Sequence, residues 1–281
     1  MKIISILIFI VFYSINISYC QKIKLISYNI RYDNPDDGEN RWDIRKEFLT
    51  NQLKFFEADI FGIQEGLFHQ VSFLDSSLAN YNWVSVGRDD GVDKGEFCAI
   101  FYNTQKFNLI KQSTLGLSET PYTISIGWDA ALERICTIAL LENIHTKQRI
   151  WIFNTHFDHQ GEKARKNSAP LIIAEINKLN QDKYPIILMG DFNLEPGCET
   201  IQYLSEQLND SKYATTIVTF GNEGTFNDFN FREPIIKRID YIFTSKNNIQ
   251  VLKYAVLSDS KNCRYPSDHF PVYVEIIISE N

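Results

Sequence analysis

The chain has 281 residues, 44% of them apolar or aromatic, which is enough for a large core and for one or two domains of ordinary size. Its formal net charge of −7 argues against a protein that grips nucleic acid non-specifically, because that affinity comes mostly from Lys and Arg neutralising phosphates. There is no low-complexity tract, no Pro- or Ser-rich linker, and no C-x-x-C pair or clustered-His signature of a zinc site.

The first segment in chain order, "MKIISILIFIVFYSINISYC", has Lys2, an apolar run from Ile3 to Tyr13, and the small residues Ser18 and Cys20 before Gln21. This is the pattern of a signal peptide over residues 1–20, cut before Gln21. The run is shorter than the roughly 20 residues of a membrane-spanning helix. Bulky Tyr19 disfavours a lipid anchor on Cys20. The expectation is export to a periplasmic or extracellular space, with residues 21–281 as one domain and no further membrane segment.

Beyond it, β-branched and aromatic runs predict strands at Ile23–Ile30, Ile60–Gln64, Trp83–Val86, Cys98–Tyr102, Phe107–Leu115, Ile135–Glu142, Ile150–Thr155, Ile186–Met189, Ile239–Thr244, Ile249–Leu257 and Val272–Ile278. Helical spacing of apolar residues predicts helices at Trp42–Phe56 and Glu162–Leu179, with shorter ones at Phe68–Leu78 and Thr200–Leu208. Many strands with a few interspersed helices indicate an α/β or α+β layered fold, built on two sheets rather than one parallel sheet. Cys98 and Cys136 lie inside apolar runs and are expected to pack as small hydrophobes.

The strands end in polar residues. "LISYNIR" runs into Asn29 and Arg31, "DIFGIQE" into Gln64 and Glu65, "IWIFNTHFDH" into Asn154, His156, Asp158 and His159, and "IILMGDFN" into Asp191 and Asn193. "RIDYIF" opens a strand with Asp240, and "SDHFPVYVEI" sets Asp268 and His269 before another. Singly these are turn formers and caps, and Asp240 could pair with Arg238. Gathered at one edge, they are the parts of a hard-cation site, with carboxylate and amide oxygens suited to Mg²⁺, Mn²⁺ or Ca²⁺. The histidines suit proton handling and contact with an anionic oxygen.

The ordered series "SYNIR", "QE", "NTHFDH", "GDFN", "RIDYIF" and "SDHFPV" resembles the endonuclease/exonuclease/phosphatase (DNase I-like) superfamily over Lys24 to Val274. "GEFCAIFYNTQKF" and "LSETPYTISIGWDAALERICT" further resemble an exported bacterial subgroup of it. The resemblance implies a four-layer α/β/β/α sandwich, two packed mixed β-sheets flanked by helices. It also implies a metal-dependent phosphoesterase that cleaves a phosphodiester or phosphomonoester by in-line attack of an activated water. By that resemblance Glu65, Asn29 and Asp268 form the metal side, and Asp191 activates the water. Asn193 assists as an extended i, i+2 partner of Asp191. His269, oriented by Asp240, and His156 face the phosphoryl group, with the division of acid and base between them open. Substrates in view are a phosphorylated small molecule, a nucleotide, nucleic acid or a lipid head group, with no stable protein partner. A nuclease or sphingomyelinase-type enzyme, and a non-catalytic binding protein on the same scaffold, are the alternatives.

Substrate-selecting residues are sought on loops. "RYDNPDDGENRWDIR" does not fit a Ca²⁺ loop, because Pro35 and Ile44 fall where oxygen ligands are required. Instead Arg31, Arg41 or Arg45 is expected to grip an anion, with Arg134 and Trp128 as further candidates. Asp158 and His159 either bind a second cation or shape their loop.

Overall fold

The computed structural model describes residues 22–279. The proposed signal peptide therefore lies outside the described residues. No helix among them is long and apolar enough to cross a membrane. The strands are β1 (Lys22–Asn29), β2 (Ile60–Gln64), β3 (Gly66–Leu67), β4 (Tyr81–Val84), β5 (Glu96–Phe97), β6 (Ile100–Asn103), β7 (Phe107–Gly116), β8 (Ile135–Asn143), β9 (Arg149–His156), β10 (Ile186–Asp191), β11 (Asn209–Asp210), β12 (Thr219–Gly221), β13 (Asp240–Thr244), β14 (Ile249–Val256) and β15 (Val272–Ile278). The α-helices are α1 (Trp42–Phe56), α2 (Phe68–Ser77), α3 (Glu162–Leu179), α4 (Glu199–Gln207) and the single turn α5 (Ser211–Ala214).

Two mixed sheets result. One has the order β12-β14-β15-β1-β2-β6-β4, the other β11-β13-β10-β9-β8-β7. In the first, β1 runs parallel to β2 and antiparallel to β15; in the second, β10 runs parallel to β9 and antiparallel to β13. Three apolar clusters define four layers. Ile23, Leu25, Ile60, Ile152, Ile187, Met189 and Ile242 fill the space between the sheets. Tyr28, Leu49, Leu53, Phe61 and Leu74 bury α1 and α2 on the outer face of the first sheet. Phe153, Ile172, Ile176, Leu188 and Leu204 bury α3 and α4 on that of the second. This is the layered α/β sandwich expected above.

Alternation along each strand aims the site. In β1, residues 23 and 25 face the other sheet while 26 and 28 face the helices, so Asn29 points between the sheets. The same count brings Asn154 and His156 of β9, Asp191 of β10 and Asp240 of β13 to that inner face. At one end the apolar filling thus gives way to carboxylates, amides and imidazoles. Just beneath them Asn154 bridges the sheets. Its Nδ2 donates to Ile63 O (2.8 Å) and Ala99 O (2.9 Å), and its Oδ1 accepts from Gln64 Nε2 (2.6 Å). Gly62 makes room, since a Cβ there would lie 2.7 Å from the Asn154 side chain.

Candidate active site

Strands end here in left-handed residues. Arg31 (φ 58°), Glu65 (φ 63°) and Asn193 (φ 50°) each break the extended backbone within two residues of β1, β2 or β10. Non-glycine residues in that region are strained and concentrate at functional sites. Asn193 is therefore not the extended i, i+2 partner of Asp191 that the sequence suggests. The chain turns after Asp191, Phe192 is buried against Tyr241 and Phe243, and Asn193 folds back so that its N–H donates to Asp191 Oδ1 (2.9 Å). Its Nδ2 donates to Phe157 O (3.0 Å) and to His156 Nε2 (3.1 Å). That second bond makes Nε2 an acceptor and puts the His156 proton on Nδ1, which faces Glu96 Oε2 at 3.8 Å.

Glu65, Asp191 and His269 each bring one ligand atom within 4.8 Å of the other two. Asn29 Nδ2 donates to Glu65 Oε1 (2.9 Å) and Asp191 Oδ2 (3.0 Å), while its Oδ1 accepts from Arg31 N (3.0 Å). Asn29 therefore aligns the two carboxylates with its NH₂ and does not offer them a ligand oxygen. Asp268 is buried beside this group but turned toward Arg31, 3.6 Å away. Glu65, Asp191 and His269 thus form the tight group, with Asn29 bonded to two of them and Asp268 beside it.

The electrostatics fit a cation. Burial and the neighbouring Asp240 push the Asp191 carboxyl up to about 7, against the pull of His269. Burial raises Asp268 to about 6, with Glu65 adding to the shift and His269 opposing it. Burial is the larger cause for both carboxyls, with a neighbouring carboxylate adding to each, and the oxygen-rich donor set suits a hard divalent ion.

The two histidines diverge. Burial would favour neutral His269, but Asp240, accepting from Nδ1 at 2.9 Å, and Asp191, 3.8 Å from Nε2, hold its pKa at about 10. Burial and then the positive charges of Arg134 and Arg88 push His156 well below 6.5. At neutral pH His269 is cationic and His156 neutral. Asp240 does not pair with Arg238, which binds Asp210 instead (2.6 Å). Replacing Asp240 by Asn removes the charge that keeps His269 protonated. In EDTA, the His269 imidazole should then titrate well below 10 by NMR. The stabilisation present in the wild type below pH 6.5, and lost as pH rises toward 10, should shrink.

The cavity over these groups has a volume of about 590 Å³ and is lined also by Tyr32, Arg88, Glu96, Arg134, His159, Phe226 and Lys237. Arg31 lines it while forked onto Asp37 (3.0 and 3.0 Å). Two of the expected anion-binding arginines, and Trp128, are not among the residues that line it. Arg41 is exposed and donates to Gly38 O. Arg45 is buried and spent on the carbonyls of Ile30, Arg31 and Pro266. Trp128 is half-buried, and its backbone N–H donates to Glu119 Oε2 (2.9 Å). Asp158 is 1% exposed and closes the turn before α3, accepting from Gln160 N (3.0 Å), Gly161 N (2.6 Å) and Arg134 Nε (3.1 Å). Its oxygens are taken up in shaping the loop. Arg88 and Glu96 were not anticipated; a single acidic residue directly before the buried run "FCAIFY" was the available signal.

The model of the endonuclease/exonuclease/phosphatase family matches residues 26–269. The chain belongs to this family. Family members are phosphoester hydrolases, and most depend on a divalent metal. A solved family protein from Bacteroides thetaiotaomicron is 36% identical, covering 92% of this chain and 99% of that one at a TM-score of 0.87. The solved mannosyl-6-phosphatase of the same bacterium is 37% identical, covering 91% and 100% at 0.86. An uncharacterised protein, L388 of Acanthamoeba polyphaga mimivirus, is 32% identical over 165 residues, 55% of this chain and 60% of that protein. The chain spans less than two thirds of the length of the curated relatives first matched. The four described cysteines are free; Cys98 and Cys136 are buried, Cys136 within an apolar cluster as expected and Cys98 near the charged groups Arg88, Glu96 and Arg134.

Proposed function

We propose that the chain is an exported phosphoesterase that depends on a divalent cation, Mg²⁺ in the first instance, and hydrolyses a small phosphorylated molecule. The observation that carries this reading is the convergence of Glu65, Asp191 and His269 within 4.8 Å at the floor of a cavity. Export is supported by the pattern of residues 1–20. A monoester substrate is supported by the size of the cavity, by the absence of a basic stripe, and by the likeness to the mannosyl-6-phosphatase.

Glu65, with Asp268 behind it, would hold the ion. When bound, the ion draws charge from the phosphoryl oxygens and the departing oxygen. Asp191 takes the proton of the attacking water; both its oxygens are fixed, by Asn29 Nδ2 and by Asn193 N, and its raised pKa suits a base working near neutrality. His269 keeps its proton on Nε2 and stabilises the phosphoryl oxygen as charge builds, held by Asp240. Neutral His156, its Nε2 occupied by Asn193, lines the phosphate without donating from that atom.

The test is phosphate release from p-nitrophenyl phosphate and sugar phosphates, beside bis-p-nitrophenyl phosphate, with Mg²⁺ and with EDTA. Monoester hydrolysis that EDTA abolishes is expected. Folded protein inert toward every ester would leave a binding protein on this scaffold.

A further inference from the structure

We propose that the free edge of the first sheet, at β12, is a self-association surface whose occupant is a second copy of this chain, paired edge to edge about a two-fold axis. The inference does not depend on the hydrolytic reading above. β12 is the outermost strand of its sheet and pairs with β14 alone, so its other side meets no strand among the described residues. Around it five apolar side chains stand in solvent. Tyr213, Ile217, Val218, Phe220 and Ile236 are 63–76% exposed. They share one patch. Thr216 N donates to Val251 O (3.1 Å), and Thr219 and Gly221 pair with Tyr254 and Val256, so the run 216–221 follows β14. An ion pair between Lys212 and Glu223 ties α5, which carries Tyr213, to the far end of that run. Gly224 N donates to Ile235 O (3.1 Å), which brings Ile236 alongside.

The chemistry of the edge selects the occupant. Open edges are normally blunted by a bulge, a charge or a proline. The edge strand β7 has a bulge between Leu109 and Lys111, and Lys111 itself. The run "IVTFG", Ile217 to Gly221, has neither charge nor proline. Such an edge is open to another strand, and a two-fold axis gives each copy the same partner and closes the assembly at two. The area also fits. The five side chains leave on the order of 600 Å² of apolar surface open, and the main chain between them brings this near the ~800 Å² per partner of a specific interface. A bilayer suits it less. Patches that lie on anionic membranes are ringed by Lys and Arg. Here Lys212 is paired with Glu223, the border carries Glu223 as well as Lys237, and the chain has a net charge of −7. A border of both signs lets two copies meet with unlike charges opposed.

The test is analytical ultracentrifugation of the purified protein over a concentration series, beside Phe220→Lys and Ile236→Lys. The wild type is expected to pass from monomer to dimer with a Kd of about 100 µM or tighter, the weak end for an interface of this size. Each lysine enters a two-fold interface twice, and is expected to raise that Kd by about 10- to 100-fold. Both replaced side chains are largely in solvent, so Tm should not move. A wild type that stays monomeric to about 1 mM overturns the proposal. So does a dimer that neither lysine weakens, which places the contact elsewhere on the molecule. Flotation with neutral and with phosphatidylglycerol-containing vesicles tests the rival occupant. A monomer that floats with vesicles, and no longer does so as Phe220→Lys, assigns the patch to lipid and overturns the pairing. Should Phe220→Lys lower Tm, Ile236→Lys decides by the same shift in Kd.

Discussion

Asp191→Asn is expected to lower kcat for phosphate release by about 10³-fold, within the range for loss of a positioned general base, while the protein folds as before. The replacement keeps the shape of the side chain. Asn keeps one acceptor oxygen, for Asn193 N or for Asn29 Nδ2, and turns its NH₂ toward the other donor, so one hydrogen bond is lost while β10 stays paired with β9 and β13. The larger change is in charge. Burial and Asp240 push the wild-type carboxyl up to about 7, from 3.8. The folded metal-free chain therefore binds a proton there that the unfolded chain has lost, and this residue makes stability fall as pH rises from about 3.8 to about 7. Asn cannot ionise. In EDTA the variant's Tm should gain on the wild type's between pH 4 and pH 7, because the hydrogen bond lost to Asn sets a deficit near pH 4 that the wild type's own ionisation offsets by pH 7. Activity above a tenth of wild type would remove Asp191 from the water-activating role. A Tm fall of more than about 4 °C, on the order of 1–2 kcal/mol at this size, would make its role one of folding.

The parts of the fold that were legible are those with a physical period. The bounds of β2, β15, α1 and α3 coincide with the sequence reading because each is a continuous apolar or amphipathic run. The pieces β3, β5, β11 and β12 have two or three residues each, too few to show a period. The floor of the site was legible for a related reason. Asn29, His156, Asp191 and Asp240 fall at positions whose alternation points into the core, where a polar residue has to be accounted for. The rim was not. Whether Arg31, Arg41 or Arg45 faces the cavity depends on a short 3-10 turn at Pro35–Asn40 and on which carbonyls need a donor, and neither leaves a pattern in the chain. The two readings of Asp158 could not be separated for the same reason. A carboxylate that satisfies the N–H groups of a tight turn looks, as a letter, like one that binds a metal.

Asn154→Asp should destabilise the protein by about 3–5 kcal/mol at pH 7, the scale for a buried group that loses its donors and gains an unpaired charge. Asn154 is fully buried one alternation beneath His156 and joins the sheets at the point where the apolar core stops. Its NH₂ serves the carbonyls of Ile63 and Ala99, and its oxygen receives Gln64 Nε2. Aspartate has the same shape but no donor at neutral pH, so a carboxylate would face two carbonyl oxygens at 2.8 and 2.9 Å. It escapes by taking up a proton, which raises its folded pKa above the unfolded value of about 3.9. The loss is then smaller at pH 5 than at pH 7. Urea midpoints at the two pH values measure this directly. Gln64 is the last residue of β2 and is followed by Glu65 in its left-handed conformation, so loosening this bridge should also lower activity at temperatures where the variant remains folded. A loss below about 1 kcal/mol, or one equal at both pH values, would show that the sheets are held at this end by apolar packing and not by the amide.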